Sequence, residues 1–578
     1  MQYNDAQLAA IDAFTGPAMV VAGPGSGKTA VITRRTARLI ERGVPPENSL
    51  VVTCTRAAAE EMEGRFLKMG IRGGNKVSFG TFHSVFFKIL RFAYNLNSSN
   101  ILKTTEAMKI VRHICDSFRV DTGGNGELLS DIHSEICKVK SLGVDVSSFC
   151  ATTMEPDVFR RIYYAYDKEV KRSRLYDFED ILTETYRLLA SRRDILVKKK
   201  EKYEFIMVDE FQDINKVQYE TIKLLAGDRA NLFVVGDDDQ SIYGFRGSDP
   251  MIMAQFNRDY PSAALIKLSV NHRSGKEIVE TAGRLIAHNS GRFSKAITAF
   301  RNDSMPIRTE VFENSREEAA YVVDKIKEFH GRGVPYREMA VLARNAEGLN
   351  SVVKECSVFG VPFVMKDYFP CLYNHFVAKD IISFIRLSVG LGNQEDMARV
   401  INKYEKINDP EYTLKFISRC TPKAAIVYIR RAAGYENYLV RNATARGQRP
   451  EELLDKLEQL LEDTNGYRCH EEWLNHVGKV REEIRSVSEE GKRQKGDEVS
   501  LGTMHGSKGL EFQVVFIIGV NDGVIPHKKC ITKMAVEEER RLFYVAVTRA
   551  KSRLFISSVR KRYGKDCEDS PFLREINE

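Results

Sequence analysis

The chain has 578 residues, with 87 Lys and Arg against 79 Asp and Glu for a net charge of +8. That length is too great for one compact core, so several domains are predicted, and 43% hydrophobic with 29% charged residues excludes a disordered or membrane-embedded chain. The positive balance is mild, so any nucleic-acid groove must come from local placement of charge and not from a globally basic surface.

In chain order, short apolar runs alternate with amphipathic stretches, the pattern of an α/β parallel sheet. Strands are predicted at Ala18 to Ala22, Leu50 to Cys54, Val77 to Thr81, Phe205 to Asp209 and Leu232 to Gly236. Between Phe86 and Tyr176 the β signals vanish and helical spacing takes over. A second α/β series is predicted to begin at Leu265 to Leu268 and to include Ala340 to Ala343. It breaks off for a mostly helical stretch from about Gly390 to Arg493, closed by the polar run Gly491 to Asp497, read as a solvated linker. Strands resume at Val499 to Met504, Val514 to Ile518 and Leu554 to Ser557. No repeat or low-complexity segment interrupts the series. The apolar run around Val514 to Val520 is too short to span a bilayer, and the first five residues carry no signal pattern, so a cytoplasmic protein without membrane contact is expected. Ten cysteines without a C-x-x-C pair read as reduced thiols, not as a disulfide frame, zinc site or iron–sulfur cluster.

Ala22-Gly23-Pro24-Gly25-Ser26-Gly27-Lys28-Thr29 follows a strand and precedes an amphipathic stretch. Glycines let backbone N–H groups turn toward phosphates, and a helix N-terminus adds favourable partial charge. Lys28 is placed to reach the outer phosphates of ATP and the Thr29 hydroxyl to bind Mg²⁺. The apolar strand from Phe205 delivers two carboxylates at its C-terminal end, where ligands of open α/β sheets bind. Asp209 suits Mg²⁺ coordination, and Glu210 suits orienting and deprotonating an attacking water.

At this point the chain resembles the UvrD/Rep/PcrA group of superfamily 1 helicases. Asp209-Glu210-Phe211-Gln212-Asp213 resembles their motif II, and Gly236 to Gly247 (GDDDQSIYGFRG) their motif III. Asn271-His272-Arg273-Ser274 resembles motif IV, Thr503 to Phe512 motif V, and Glu538 to Ala550 motif VI. The motifs follow the family order along almost the whole chain. The resemblance implies two RecA-like P-loop NTPase cores, each with a mostly helical insertion. The first core is expected at 1–87 and 176–264 with an insertion at 88–175. The second is expected at 265–389 and 498–578 with a reduced insertion at 390–497. It further implies that Gln7 reads adenine, that Gln240 senses the γ-phosphate and that Glu511 contacts the ribose. Arg273 and Arg549 are implied to reach the γ-phosphate from the second core, an effect worth ~10³ to 10⁵ in rate in other systems.

For single-stranded DNA the same resemblance implies Tyr243 and Phe245 as base platforms, Thr81, His83, Thr503 and His505 as backbone contacts, and Arg344 as added charge. Three departures stand out. His272 replaces the tyrosine that stacks on adenine, which predicts looser base selectivity. Cys54-Thr55-Arg56-Ala57 stands where the family reads Phe-Thr-Asn-Lys, so one aromatic is missing and Arg56 shifts the contact toward phosphate. No glycine-containing duplex-contact loop is evident near Ile401-Asn402-Lys403. The chain also ends at Glu578, soon after motif VI, and no nuclease domain or partner-binding tail is expected. The expected function is an ATP-dependent single-stranded DNA translocase and helicase, 3′-to-5′ on the resemblance alone, acting on single strands and their junctions with duplex. The roles considered are repair, replication and phage defence, alone or as the motor for a nuclease or other repair or defence protein. A clamp that grips single strands without walking is the contrasting alternative.

Overall fold

The computed structural model describes residues 3–120, 126–302, 305–365, 371–400, 410–445, 450–490 and 496–577. Ile401 to Lys403 and most of the polar run from Gly491 lie outside them. Two parallel sheets dominate. The first holds β1 (Ala18–Ala22), β2 (Ser49–Thr53), β3 (Ser78–Thr81), β4 (Phe205–Val208), β5 (Leu232–Gly236) and β6 (Ala264–Leu268), in the order β3-β2-β4-β5-β1-β6. Every residue of β1, β2, β4 and β5 is buried, which explains the apolar run at the centre of each: helices cover both faces.

A short parallel pair, β7 (Val270–Gly275) and β8 (Thr298–Arg301), follows. The second sheet holds β9 (Arg308–Asn314), β10 (Met339–Ala343), β11 (Phe363–Met365), β12 (Val499–Thr503), β13 (Phe512–Ile517), β14 (Ala550–Arg562) and β15 (Lys565–Asp566). Its order is β11-β12-β10-β13-β14, with β9 parallel and β15 antiparallel to β14. The architecture is α/β with two RecA-like cores. Among the described residues no helix is long and apolar enough to cross a membrane.

Two expected boundaries shift. The strand read at Leu265 to Leu268 was expected to open the second core, yet β6 pairs in parallel with β1 at the edge of the first sheet. Its outward residues are largely exposed, and a strand's own sequence does not say which sheet edge receives it. The second insertion was expected from 390, but the helix Phe376–Ser388 already packs in its hydrophobic cluster with Leu457, Leu460 and Trp473. The first insertion has its own cluster from Leu102 to Val170, built from the helices Thr104–Ser117, Gly126–Leu142 and Pro156–Arg172.

One buried ion cluster ties that first insertion to its core. Lys140 Nζ donates to Asp177 Oδ2 at 2.5 Å and to Asp180 at 2.9 Å, while Asp177 and Asp180 form the capping box of the helix Phe178–Ser191. Breaking a buried pair from one side leaves uncompensated charge, at a cost of about 3–5 kcal/mol. Lys140→Met is therefore expected to lower the first thermal transition of the full chain and to open residues near 170–180 to limited proteolysis. Calorimetry and digestion patterns that match the parent would contradict this.

Candidate active site

The turn after β1 takes its shape from two glycines with positive φ, Gly25 at 65° and Gly27 at 85°. Gly27 caps the helix Lys28–Glu41 without any side-chain cap, so first-turn N–H groups stay available to an anion. Ser26 Oγ donates to Gly23 O at 2.7 Å, bracing the loop. The Gln7 amide lies on the same loop, with Nε2 donating to Ser26 O at 3.0 Å and Oε1 accepting from Asn4 N.

β4 delivers Asp209 and Glu210 beside this loop. Glu210 adopts φ +50°, a left-handed conformation that costs a non-glycine residue roughly 1–3 kcal/mol and is stored where geometry matters. Its Oε2 lies 3.7 Å from Lys28 Nζ and accepts from Gln212 Nε2 at 2.6 Å. Burial pushes the Glu210 carboxyl up, but Lys28, Lys508 and Arg549 outweigh it and hold the group ionised. Asp209 moves the other way, raised by burial and by the charge of Glu210. Its Oδ1 is buried without a hydrogen-bond partner. Such an oxygen is costly unless a cation or donor meets it, so Asp209 with Thr29 in the first turn of the helix fits a Mg²⁺ ion.

The second lobe closes directly over this site. Arg549 is almost wholly buried, and its Nη2 donates to Gln240 Oε1 at 3.4 Å, while Nε and Nη1 donate to Val545 O and Leu510 O. Burial, reinforced by the Arg273 charge, pulls its pKa down to about 9. Arg273 is carried on β7, and its backbone neighbour His272 donates from N to Gly25 O at 2.9 Å. The Arg273 guanidinium donates to Glu511 Oε2 at 2.7 Å, and Lys551 lies 3.3 Å from the other Glu511 oxygen. Glu511 thus reaches a ribose only if that pairing opens.

Several bridging groups carry no role in the sequence reading. Lys508 Nζ donates to Asp213 Oδ2 at 2.5 Å and Gln240 O at 2.6 Å, crossing the cleft while buried. Gln212 joins β4 to the turn after β5, accepting from Asp237 N at 2.9 Å. Asp237, Asp238 and Asp239 converge closely enough to hold a metal ion, but Lys295 Nζ sits among them at 2.5, 2.5 and 2.9 Å and Arg292 pairs with Asp239. That cluster is an inter-lobe ion lock. Only the partners' separation in sequence hid it, since Lys508 and Lys295 are ordinary lysines until the fold closes.

The residues assigned to DNA divide into two groups. Phe245 is 55% exposed, with His505 edge-on at 5.5 Å and Tyr243 at 6.0 Å, so the rings of this segment meet a ring of the second core. His83 stands edge-on to Phe178 at 5.3 Å, and Phe178, a ring absent from the sequence reading, is itself 47% exposed. Burial drops the His83 pKa to about 4, so at neutral pH it offers a hydrogen bond and no charge. Thr81 and Thr503 hydroxyls accept from Ser84 N and Gly506 N and shape their own loops. Arg56 is highly exposed and pairs with Glu60 at 2.6 Å. Arg344 does not join the track as free charge: Glu539 holds its guanidinium in a two-point pair at 2.7 and 2.8 Å.

Fold and site together define a P-loop ATPase whose nucleotide cleft lies between two RecA-like lobes. The sequence profile "UvrD/REP helicase N-terminal domain" matches residues 3–261, and "UvrD-like helicase C-terminal domain" matches 266–430 and 417–561. The chain is 31% identical to the YjcD protein of Bacillus subtilis, over 99% of this chain and 80% of that one. It is 29% identical to the ATP-dependent DNA helicase PcrA of Staphylococcus epidermidis and 27% to that of Staphylococcus aureus, over 100% of this chain and 86% of each. The chain belongs to the UvrD-like helicase family.

Lys508 offers a direct test of the bridge. Lys508→Met leaves Asp213 buried without its ammonium, a loss of about 3 kcal/mol or more that corresponds to about 100-fold in rate if felt in the closed state. DNA-stimulated ATPase at saturating ATP is expected to fall by that order while folding, followed by circular dichroism, persists. Unchanged turnover would contradict it.

Proposed function

We propose that this protein is an ATP-driven DNA helicase that walks along single-stranded DNA from 3′ to 5′. The observation that carries the reading is the two-sided cleft, with Lys28 and Glu210 on one lobe and Arg273 and Arg549 on the other. Glu210, ionised and oriented by Gln212, takes the proton of the attacking water. Lys28 binds the outer phosphates, and the two guanidinium groups offset charge developing on the transferred phosphoryl group. Thr29 and Asp209 would hold Mg²⁺, which neutralises phosphate charge when bound. Because the arginines belong to the opposite lobe, hydrolysis requires closure, and product release permits opening.

Movement needs each lobe's grip on DNA to differ between nucleotide states. Gln240 supports such coupling: it meets Arg549 and Asp237 on the cleft side and lies three residues before Tyr243. Tyr243, Phe245, His505 and Phe178 stack on bases, and Thr81, His83, Arg56 and Thr503 approach the backbone. Stacking of this kind tolerates any sequence and contributes ~1–3 kcal/mol per base. Single strands and their junctions with duplex are the proposed substrate, in the cytoplasm. Family membership supports service in repair, replication or phage defence, with or without a nuclease partner.

Glu210→Gln should cut single-strand-stimulated ATPase by about 10²- to 10⁴-fold with nucleotide binding retained. Streptavidin displacement from biotinylated oligonucleotides should be faster at the 5′ end than at the 3′ end. Equal displacement, or none despite active hydrolysis, would contradict directed walking.

A further inference from the structure

The helix Phe82–Tyr94 starts at the end of β3, where Thr81 and His83 stand, and runs for about 20 Å at 1.5 Å per residue. One face is core, with Val85, Phe86, Ile89 and Leu90 buried in the hydrophobic cluster of the first lobe. The other face is open. Ser84, Lys88, Arg91 and Phe92 are exposed at helical spacing and form one stripe that begins beside His83. At its far end the stripe meets the helix Arg193–Lys202. Lys199 Nζ lies 4.7 Å over the centroid of the Phe92 ring, which is still 63% exposed. Lys198 and Lys202 are exposed on the same short helix, and burial together with the Lys202 charge pulls the Lys199 pKa down.

The cations of this stripe are not neutralised. Nearby Arg187 and Arg192 pair with Glu184 and Asp194, but among the described residues Lys88, Arg91, Lys198, Lys199 and Lys202 have no ion pair. We propose that the stripe is an outer path for single-stranded DNA, where phosphates meet Lys88, Arg91 and Lys199 and a base stacks on the open face of Phe92. The inference rests on the single-strand reading above and lengthens its footprint. Two observations favour nucleic acid over an acidic protein segment. The stripe is continuous with Thr81 and His83, and it sets an open ring among cations, the combination that holds bases and backbone without regard to sequence.

The test measures binding of fluorescent oligothymidylates by anisotropy between about 50 and 200 mM salt. The short probe is the shortest that fully stimulates the ATPase, and two longer ones carry about ten more nucleotides at the 5′ or at the 3′ end. In the parent, lengthening at one end only should raise affinity and steepen the salt dependence. Each phosphate neutralised on a single strand adds about 0.7 to the slope of log K against log salt, so three add about 2. The triple variant Lys88→Ala, Arg91→Ala, Lys199→Ala should lose that gain and that increment, with the short probe bound as by the parent and kcat unchanged. Phe92→Ala should weaken the lengthened strand by roughly five- to hundredfold while the slope persists. Equal gains at both ends, no gain at either, or a gain that survives the triple variant would overturn the outer path. No gain at either end, with fluorescent oligoglutamate bound by the parent and lost in the triple variant, would assign the stripe to an acidic protein segment instead. In each of these cases a parental ATPase stimulated by the short probe leaves the motor reading standing. A parent that binds no single-stranded DNA sinks both.

Discussion

Charge balance inside a closed cleft governs this molecule. Glu210 and Asp213 are carried on one lobe, and Lys508 and Arg549 on the other come within reach of them and of Gln240. Away from water each of these groups is costly alone, and each is tolerable because a partner crosses the gap. The lobes are therefore not two domains in casual contact. They share a set of buried charges whose sum changes whenever polyphosphate enters or leaves. Arg549 shows the tension most clearly, since burial beside Arg273 pulls its pKa down to about 9 and an anion is the natural relief.

The same charges reach the aromatic track through one short segment. From Asp237 to Phe245 the chain passes from the lysine-filled aspartate cluster to Gln240, and then to Ile242, which is buried among second-core residues. Gly244 N donates to Glu538 Oε1 at 2.9 Å, and Arg541 Nε donates to Ser241 O at 2.8 Å. This stretch leaves the first sheet but packs within the second lobe. Any change in lobe spacing must therefore act on Tyr243 and Phe245. Opening also breaks the Lys295 and Lys508 locks, which sets a threshold that phosphate binding and release must shift.

Strands buried on both faces were legible because their apolar runs are continuous, as in β1, β2, β4 and β5. Motif residues were legible because P-loop chemistry demands particular residue types at fixed spacing. What escaped reading has two causes. No apolar side chain of β7, β8 or β9 is fully buried, so no hydrophobic run marks them, and β6 gives no sign of the sheet it joins. The pairs Lys508–Asp213, Lys295–Asp237 and Arg344–Glu539 connect residues 295, 58 and 195 positions apart, which no local pattern encodes. Arg344 is instructive: an arginine after a core strand read as charge for DNA, and the fold spends it on a glutamate of motif VI.

The proposed mechanism requires one nucleotide to be gripped from both lobes at the moment of hydrolysis. A crystal structure of the chain with single-stranded DNA and ADP–aluminium fluoride tests it most directly. Arg273 is then expected to leave Glu511, and Arg273, Arg549 and Lys28 all to hydrogen-bond the phosphoryl mimic. A mimic held by Lys28 alone, with Arg273 still paired to Glu511 and Arg549 still turned to Gln240, would contradict it.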